Sequence, residues 1–401
     1  MLPYGRRGRY HESSAPVAIR EVFHKLALIA GVLKENFPSE RRVAVVPRSI
    51  DLLKKSQVEV WIERGAGLEA GFPDEDYSVK GATLGSGAEV RGRAQVLLHV
   101  RVPQEPPGKD VIAIGLCDPL TDAAIALKYA QAGATLFSME LVPRTTRAQS
   151  MDVLSSMASI AGYKAVLLAA SALPKMFPMM TTAAGTIAPA RVLVIGAGVA
   201  GLQAIATSRR LGAVVSGYDV RSAVKEQIES LGAKFVSITV EEKAEGEGGY
   251  ARALSEDAIR RQREQMALVL REQDVVITTA AVPGKKAPLL ITRDMVQAMA
   301  PGSVIVDLAA ERGGNCEVTV PGETVIERGV TVLGPMNVPA TVPRHASEMY
   351  ARNIATFLKN MITKDGQLNI DLNDEIVRET LIARNGEVVN PKVQALLGIP
   401  A

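Results

Sequence analysis

Three observations predict an α/β fold of two Rossmann-like domains with parallel sheets. Strand and helix patterns alternate along the chain, which places helices over parallel strands. The 401 residues exceed what one hydrophobic core serves, so two domains are expected. Near the middle, a glycine fingerprint at Gly196, Gly198 and Gly201 joins an apolar strand to a helix.

The elements follow in order. Leu26–Leu33 reads as a strand, Pro47–Ser56 as a helix and Val58–Glu63 as a strand. Gln95–Arg101, Asp110–Leu116 and Thr135–Met139 read as strands, with a helix at Thr121–Ala132. A helical pattern from about Ser150 to Ala172 carries apolar or small residues at Leu154, Ala158, Ala161, Ala165 and Leu168. It is long enough to connect two domains. The second unit has strands at Val192–Ile195, Val214–Tyr218, Phe235–Ile238, Val275–Thr278, Val304–Leu308 and Val330–Leu333. A second long helix, near Pro343 to Met361, leads back. The expected organisation is a discontinuous first domain, 1–150 and 343–401, with a nucleotide domain, 151–342, inserted into it and flanked by long helices.

Composition narrows the function classes. Apolar residues make up 47% and charged residues 22%, the balance of a globular chain. The net charge is +3, with Arg6, Arg7, Arg9, Arg20 and Lys25 in a basic N-terminal tail, residues 1–25. No aromatic platform or long basic run accompanies it, so a solvated tail is expected and no nucleic-acid partner. The two cysteines, Cys117 and Cys316, make no disulfide framework and no Cys/His metal spacing, and no metal is expected. A reducing cytoplasm fits. Leu26–Leu33 lacks a small-residue cleavage site and reads as a buried strand rather than a signal segment. The longest apolar run, Val192 to Thr207, is interrupted by glycines and Gln203. It falls short of the ~20 apolar residues that span a bilayer, so no direct membrane insertion is expected.

In the segment Arg191-Val-Leu-Val-Ile-Gly196-Ala-Gly198-Val-Ala-Gly201, each glycine has a task. Gly196 allows the tight turn, Gly198 lets the backbone approach a pyrophosphate, and Gly201 lets helix pack on strand. The helix N-terminus, with Val199 and Ala200 in its first turn, offers N–H groups and partial positive charge to phosphates. The next strand ends Tyr218-Asp219-Val220-Arg221. Asp219 lies about 20 residues beyond the glycines, where an acid accepts ribose hydroxyls. A 2′-phosphate would meet its negative charge, which points to NAD rather than NADP. Arg221 complicates this, because a nearby guanidinium could receive a 2′-phosphate. Alternatively it only flanks the adenosine.

The hydride's other partner leaves no trace in the acid/base inventory. A dehydrogenase acting on a hydroxyl or amine needs a general acid/base at the oxidised carbon. The four histidines are His11 and His24 in the tail, His99 in a strand pattern and His345 at a helix start. None sits in a pattern that suggests a base.

One segment is more specific. Arg144-Thr-Thr-Arg147-Ala-Gln149-Ser150-Met151-Asp152-Val-Leu-Ser155-Ser156 resembles the RxxRAQSMDxLSS segment of the NAD(H)-binding component of proton-translocating transhydrogenases. The resemblance runs from about Leu26 to the C-terminal region. It takes in Phe177–Thr186, the fingerprint, Tyr218–Arg221, Gly248-Gly249-Tyr250, Ile277–Lys285, Asp307–Glu317 and Gly334–Pro339. Alanine dehydrogenases are similar in fold and provide the alternative reading. Their pattern carries a lysine in a K-E-P segment and a histidine in an H-L segment. Here the corresponding stretches read His99-Val-Arg101-Val-Pro103 and Ile114-Gly-Leu116-Cys117-Asp118, and Glu311 replaces a second aspartate. The amino-acid half of that site is missing.

The resemblance implies a function. This component would bind NADH and pass hydride directly to NADP+ on a partner component. A membrane-spanning component would couple the transfer to inward proton flow, as in a Re/Si-specific transhydrogenase. Ring-to-ring transfer moves no proton at the reacting carbons, which fits the missing acid/base. The protein's task is then placement of the reacting atoms at about 3–3.5 Å. By the match, Arg144, Gln149, Asp152 and Ser155 hold the dihydronicotinamide and its ribose, with Arg144 and Asp152 able to pair. In the bland alternative Ser150 and Asp152 cap the long helix and Arg144 is a solvated loop residue. The cofactor set further includes Val199, Ala200, Val220, Gly249, Tyr250 and Ala281. The polar, glycine-rich stretch Val240–Gly249 would be a lid with Tyr250 closing it, or else a plain surface insertion. A homodimer, peripheral to the cytoplasmic membrane through its partners, completes the expectation. An NAD(H)-binding regulator is the non-enzyme alternative.

Overall fold

The computed structural model describes residues 27–238, 256–282 and 284–400. Its first sheet is fed by β1 (Leu28–Val32), α1 (Pro47–Lys55), β2 (Val58–Glu63), α2 (Asp74–Val79), β3 (Thr83–Gly85) and α3 (Gly87–Arg93). β4 (Val96–Arg101), β5 (Ile112–Leu116), α4 (Ala124–Gln131) and β6 (Thr135–Ser138) follow. The chain then leaves through α5 (Val153–Ala172) and a hairpin of β7 (Met180–Thr182) and β8 (Gly185–Ile187). The second sheet is built by β9 (Arg191–Ile195), α6 (Val199–Arg210), β10 (Val214–Tyr218), α7 (Lys225–Ser230), β11 (Lys234–Phe235) and α8 (Glu256–Leu270). β12 (Val275–Thr278), α9 (Arg293–Gln297), β13 (Val304–Asp307), β14 (Thr324–Glu327) and β15 (Val330–Leu333) complete it. The return is α10 (Pro343–Asn360), α11 (Glu375–Thr380), β16 (Leu381–Arg384), β17 (Glu387–Val388) and α12 (Pro391–Leu397).

The first sheet has the order β17-β16-β6-β5-β4-β1-β2-β3, and the second β11-β10-β9-β12-β13-β15-β14. β1 to β6 run parallel, as do β9 to β13 and β15. Their central strands are buried on both faces, as Val192-Leu-Val-Ile195 and Val275-Val-Ile-Thr278 show. The sheets are parallel-dominated, with antiparallel pairing only towards their edges: β14 and β17 are edge strands, and β16 pairs antiparallel with both β17 and β6. β14 has its outer positions exposed, so it lacks the apolar run that marks a buried strand. In each sheet the strand order reverses once, between β1 and β4 and between β9 and β12. Ligands of open α/β sheets bind at the carboxyl ends of strands beside such reversals.

Some boundaries differ from the sequence reading. The strand expected at Phe235–Ile238 is only Lys234–Phe235. Thr146–Met151 forms a tighter 3₁₀ stretch, and α5 proper begins at Val153 because Asp152 caps it. Asp152 Oδ1 accepts the Ser155 N–H at 2.9 Å, the bond an N-cap side chain makes.

Helix α5 is long and apolar enough to cross a bilayer by length and composition. Here it packs between α6 and α10. A Cβ at Gly162 would stand 2.1 Å from the Ala200 carbonyl oxygen, so the glycine permits the close crossing of α5 over α6. α10 lays Tyr350, Ile354, Phe357 and Leu358 into the first core, and the Tyr350 hydroxyl donates to the His99 carbonyl at 2.7 Å. β16 pairs with β6, so the C-terminal segment contributes to the first sheet.

Candidate dinucleotide site

The fingerprint lies at the reversal of the second sheet. Gly196 follows β9 with φ +95°, a left-handed conformation that favours glycine. A Cβ at Gly201 would lie 1.8 Å from the Gly196 carbonyl oxygen, so no side chain fits there. Gly198 differs: a Cβ there would meet nothing within 4 Å, and its backbone faces open space. The 12-residue helix α6 starts immediately after it, with Val199 and Ala200 in its first turn. Its first N–H groups lack intrahelical acceptors and carry the positive end of the helix dipole. A tight turn, close packing and an approachable backbone therefore coincide where a pyrophosphate would need them.

Asp219 sits at the end of β10, and 9% of it is exposed. Its Oδ2 accepts the Ala197 N–H at 2.7 Å and Arg221 Nη2 at 2.9 Å. Its Oδ1 accepts Arg221 N and Nε, each at 2.9 Å. Burial opposes ionisation, but the Arg221 side chain and these N–H groups outweigh it and hold the carboxyl below its ordinary range. This modifies the charge argument made from sequence. The carboxylate is paired with Arg221, so simple repulsion is weaker than an isolated acid would exert. The same pair commits Nε and Nη2 of Arg221 to Asp219, which disfavours their use on a 2′-phosphate. Val220 is half-buried between them.

A buried polar group holds the facing loop. Asp307, fully buried, accepts Thr278 Oγ1 and Ala309 N on one oxygen. Its other oxygen accepts Asn315 N, Cys316 N and Thr319 Oγ1. The Asn315 side chain then clasps Ala280, accepting its N–H at 3.0 Å and donating to its carbonyl at 2.8 Å. Thr279 Oγ1 donates to the Gly196 carbonyl at 3.0 Å. Ala281 follows this clasp and is exposed. Asp307, Asn315, Thr279 and Gly162 have no individual role legible in the sequence. The signal was the polar run within Asp307–Asn315, but which backbone it satisfies depends on tertiary contacts.

The four residues expected at the nicotinamide end sit where the first sheet hands over to α5. Arg144 and Gln149 are exposed, while Asp152 and Ser155 are half-buried. The Ser155 hydroxyl donates to Asp152 Oδ2 at 2.6 Å, so Asp152 and Ser155 form one capping unit. The bland reading of Asp152 as a helix cap therefore holds, and it leaves other roles open. Ten residues of helix separate Asp152 from Gly162, about 15 Å at 1.5 Å per residue. That span suits an extended dinucleotide between the fingerprint and the 3₁₀ stretch. Gly249 and Tyr250, with the expected lid, lie outside the described residues.

The two sheets meet at this end. Glu40 and Arg42 form a buried, two-pronged ion pair, Nε to Oε1 at 2.7 Å and Nη2 to Oε2 at 2.6 Å. Arg42 Nη2 also donates to Asn337 Oδ1 at 3.2 Å, and Asn337 Nδ2 donates to Glu40 at 3.1 Å. Glu311 accepts the Asn337 N–H. Arg312 reaches Asp118 and Thr121 of the first lobe at 3.0 and 2.7 Å. Nearby, Arg101 stacks on Phe37, and Cys117 is half-buried. Burial, with Glu140 next, pushes the Cys117 thiol well up, so it is a poor nucleophile. Among the described residues no group of three or more His, Cys, Asp or Glu is placed to hold a metal.

These features define a two-lobed α/β protein with a dinucleotide turn at one sheet's reversal. Comparison with known proteins agrees. The alanine dehydrogenase/PNT N-terminal domain family matches residues 31–161, and the corresponding C-terminal domain family matches residues 165–391. The chain is 45% identical over 371 residues to the first part of the NAD(P) transhydrogenase alpha subunit of Rhodospirillum rubrum, covering 89% of this chain and 97% of the relative. The crystal structure of transhydrogenase from Sinorhizobium meliloti superposes with a TM-score of 0.81 at 44% identity, covering 90% of this chain and all of the other. Alanine dehydrogenase of Bacillus subtilis is 26% identical, over 92% of this chain and 95% of the relative. The chain thus belongs to the alanine dehydrogenase/PNT family, among the NAD(P) transhydrogenase alpha subunits.

Proposed function

We propose that the chain binds NAD(H) and passes hydride from NADH to NADP+ held by a partner component. A membrane-spanning component would couple the transfer to inward proton flow. The observation that carries the reading is the open backbone at Gly198, beside Gly196 and Gly201, at the reversal of the second sheet. Asp219 and Arg221 would meet the adenosine ribose, with Val220 beside it, and the first turn of α6 the phosphates. Arg144, Gln149, Asp152 and Ser155 would fix the reacting ring. Ala281 lines the facing loop, and Gly249 and Tyr250 complete the set from the family match. Hydride passing between two rings needs no general base.

A homodimer at the cytoplasmic face of the membrane is part of the same proposal. The hairpin β7–β8 joins neither main sheet, and its strands are wholly exposed. An isolated hairpin is marginal in water. Met180 and Ile187 are the exposed apolar residues of the hairpin, and Met176 and Met179 just before it and Tyr163 on α5 are exposed as well. A second copy covering them would explain both features.

Reconstitution with an NADP(H)-binding transhydrogenase component tests the function. Hydride transfer from NADH to an NADP+ analogue is expected, and pure protein should produce no NADH from alanine and NAD+. Brisk alanine oxidation would favour the amino-acid dehydrogenase instead. NADH binding without any transfer would favour a regulatory module.

A further inference from the structure

The first sheet reverses its order between β1 and β4, and a cavity of about 410 Å³ opens there. It is lined by residues at or just past the carboxyl ends of three strands: Lys34 and Glu35 after β1, Glu63 on β2, and His99 and Arg101 on β4. Arg91 enters from α3. The position is the one where open α/β sheets hold ligands, and the volume suits a small molecule. The dinucleotide reading uses the other sheet's reversal and leaves this one without a task.

Two observations point to a ligand and to its charge. His99 is 4% exposed, and its Nε2 is buried with no hydrogen-bond partner among the described residues. Such a group ordinarily finds a partner. The second is the balance of charge. Glu35 turns its oxygens to the Val100 and Arg101 N–H groups at 2.7 and 3.1 Å. Glu63 accepts the Lys34 N–H at 2.8 Å. Both carboxylates are thus spent on backbone. Among the described residues, the Lys34 ammonium and the Arg91 guanidinium enter no salt bridge. Arg101 leans on Glu40 at 3.5 Å and on the Phe37 ring, so only part of its charge is answered.

We propose that this cavity is a second ligand site, for a small anion bearing a carboxylate or phosphate group, held by Lys34, Arg91 and Arg101 and hydrogen-bonded by His99. Burial and, secondarily, the Arg91 charge hold the His99 imidazole down at about 4, so it meets the anion as a neutral group. Burial also pushes Glu35 up to about 7, which reduces negative charge at the rim near neutrality.

The chain carries its own reporter. Trp61, its single tryptophan, packs against the small apolar cluster that includes Leu33 of the cavity wall, and lies two residues before Glu63 on the same face of β2. The full chain is titrated with inorganic phosphate and, separately, with succinate, following Trp61 fluorescence and heat, at ionic strength held constant with sodium chloride. A saturable response to either probe is expected, and the stronger one identifies the anionic group. Arg91 is exposed, so Arg91→Gln should fold normally. It should weaken that response about tenfold, the factor for losing one charge-assisted hydrogen bond. The His99 ring protons should shift on addition of the probe. NADH affinity should be the same in both proteins, so failure here is separable from failure of the dinucleotide reading. Responses to both probes no larger than to chloride, or saturation that Arg91→Gln leaves unchanged, would overturn the proposal.

Discussion

Gln149 is exposed on the 3₁₀ stretch ahead of α5 and anchors nothing in the core. Any effect of replacing it therefore reports on ligand placement. Gln149→Ala should slow hydride transfer in a reconstituted complex by about 10²-fold, while NADH binding changes little. A rise in the NADH dissociation constant alone would make Gln149 an ordinary binding residue. At the adenosine end, the Asp219–Arg221 pair predicts that calorimetry finds NADH tighter than NADPH on the isolated chain. Equal affinities would remove the specificity argument. Glu35 makes a different prediction. Its folded pKa, about 7, lies above the ordinary 4.5. The protonated form is favoured in the fold, so its contribution is present below 4.5 and is lost as pH rises through 7. His99 runs the opposite way, gaining as pH rises, so only a difference isolates Glu35. Urea unfolding of wild type and Glu35→Gln should diverge between these pH values, the variant gaining relative stability as pH rises. A constant difference would remove the burial argument.

At the scale of elements, the close crossing of α5 over α6 is the sharpest constraint. A Cβ at Gly162 meets backbone, not a flexible side chain. Gly162→Ala should therefore cost about 1–3 kcal/mol in urea unfolding through overpacking, despite alanine's better helix propensity. A stabilised variant would mean that the helices separate freely. The elements legible beforehand were those with apolar patterns bounded by turn residues: β1, β2, β4, β5, β6, β9, β10, β12, β13 and β15, with α1, α4, α5, α6 and α10. β3, β7, β8, β14 and β17 have two to four residues, with exposed positions in each, and carry too little periodicity to be read.

At the scale of the molecule, the joint between lobes rests on buried charge. Glu40 and Arg42 side chains are 0% and 2% exposed and meet Asn337 from the other lobe. Arg42→Met should destabilise by about 3 kcal/mol, because it leaves the buried Glu40 carboxylate with only Asn337 and the looser Arg101 contact at 3.5 Å. Replacing Glu40 and Arg42 together with apolar residues should cost less than Arg42→Met alone. If the double variant were the worse, the pair itself would be a net stabiliser. Removing the β7–β8 hairpin should shift sedimentation towards a monomer while the fold remains intact. An unchanged sedimentation coefficient would place any self-association elsewhere.

The sequence by itself determined the α/β class, the strand–turn–helix at Gly196–Gly201, the acid at Asp219 and the segment Arg144–Ser155. The first rests on alternation along the chain, the next two on residue type at fixed spacing along one or two elements, and the last on its resemblance to the transhydrogenase segment. Only the tertiary structure decided that Arg221 closes on Asp219 and that Asn315 clasps Ala280. It alone brought Gly162 against Ala200, and a buried His99 to the reversal between β1 and β4. Each of those depends on which distant backbone a side chain meets. No pattern along the chain specifies that meeting, because it is set by how two sheets and the helix between them pack.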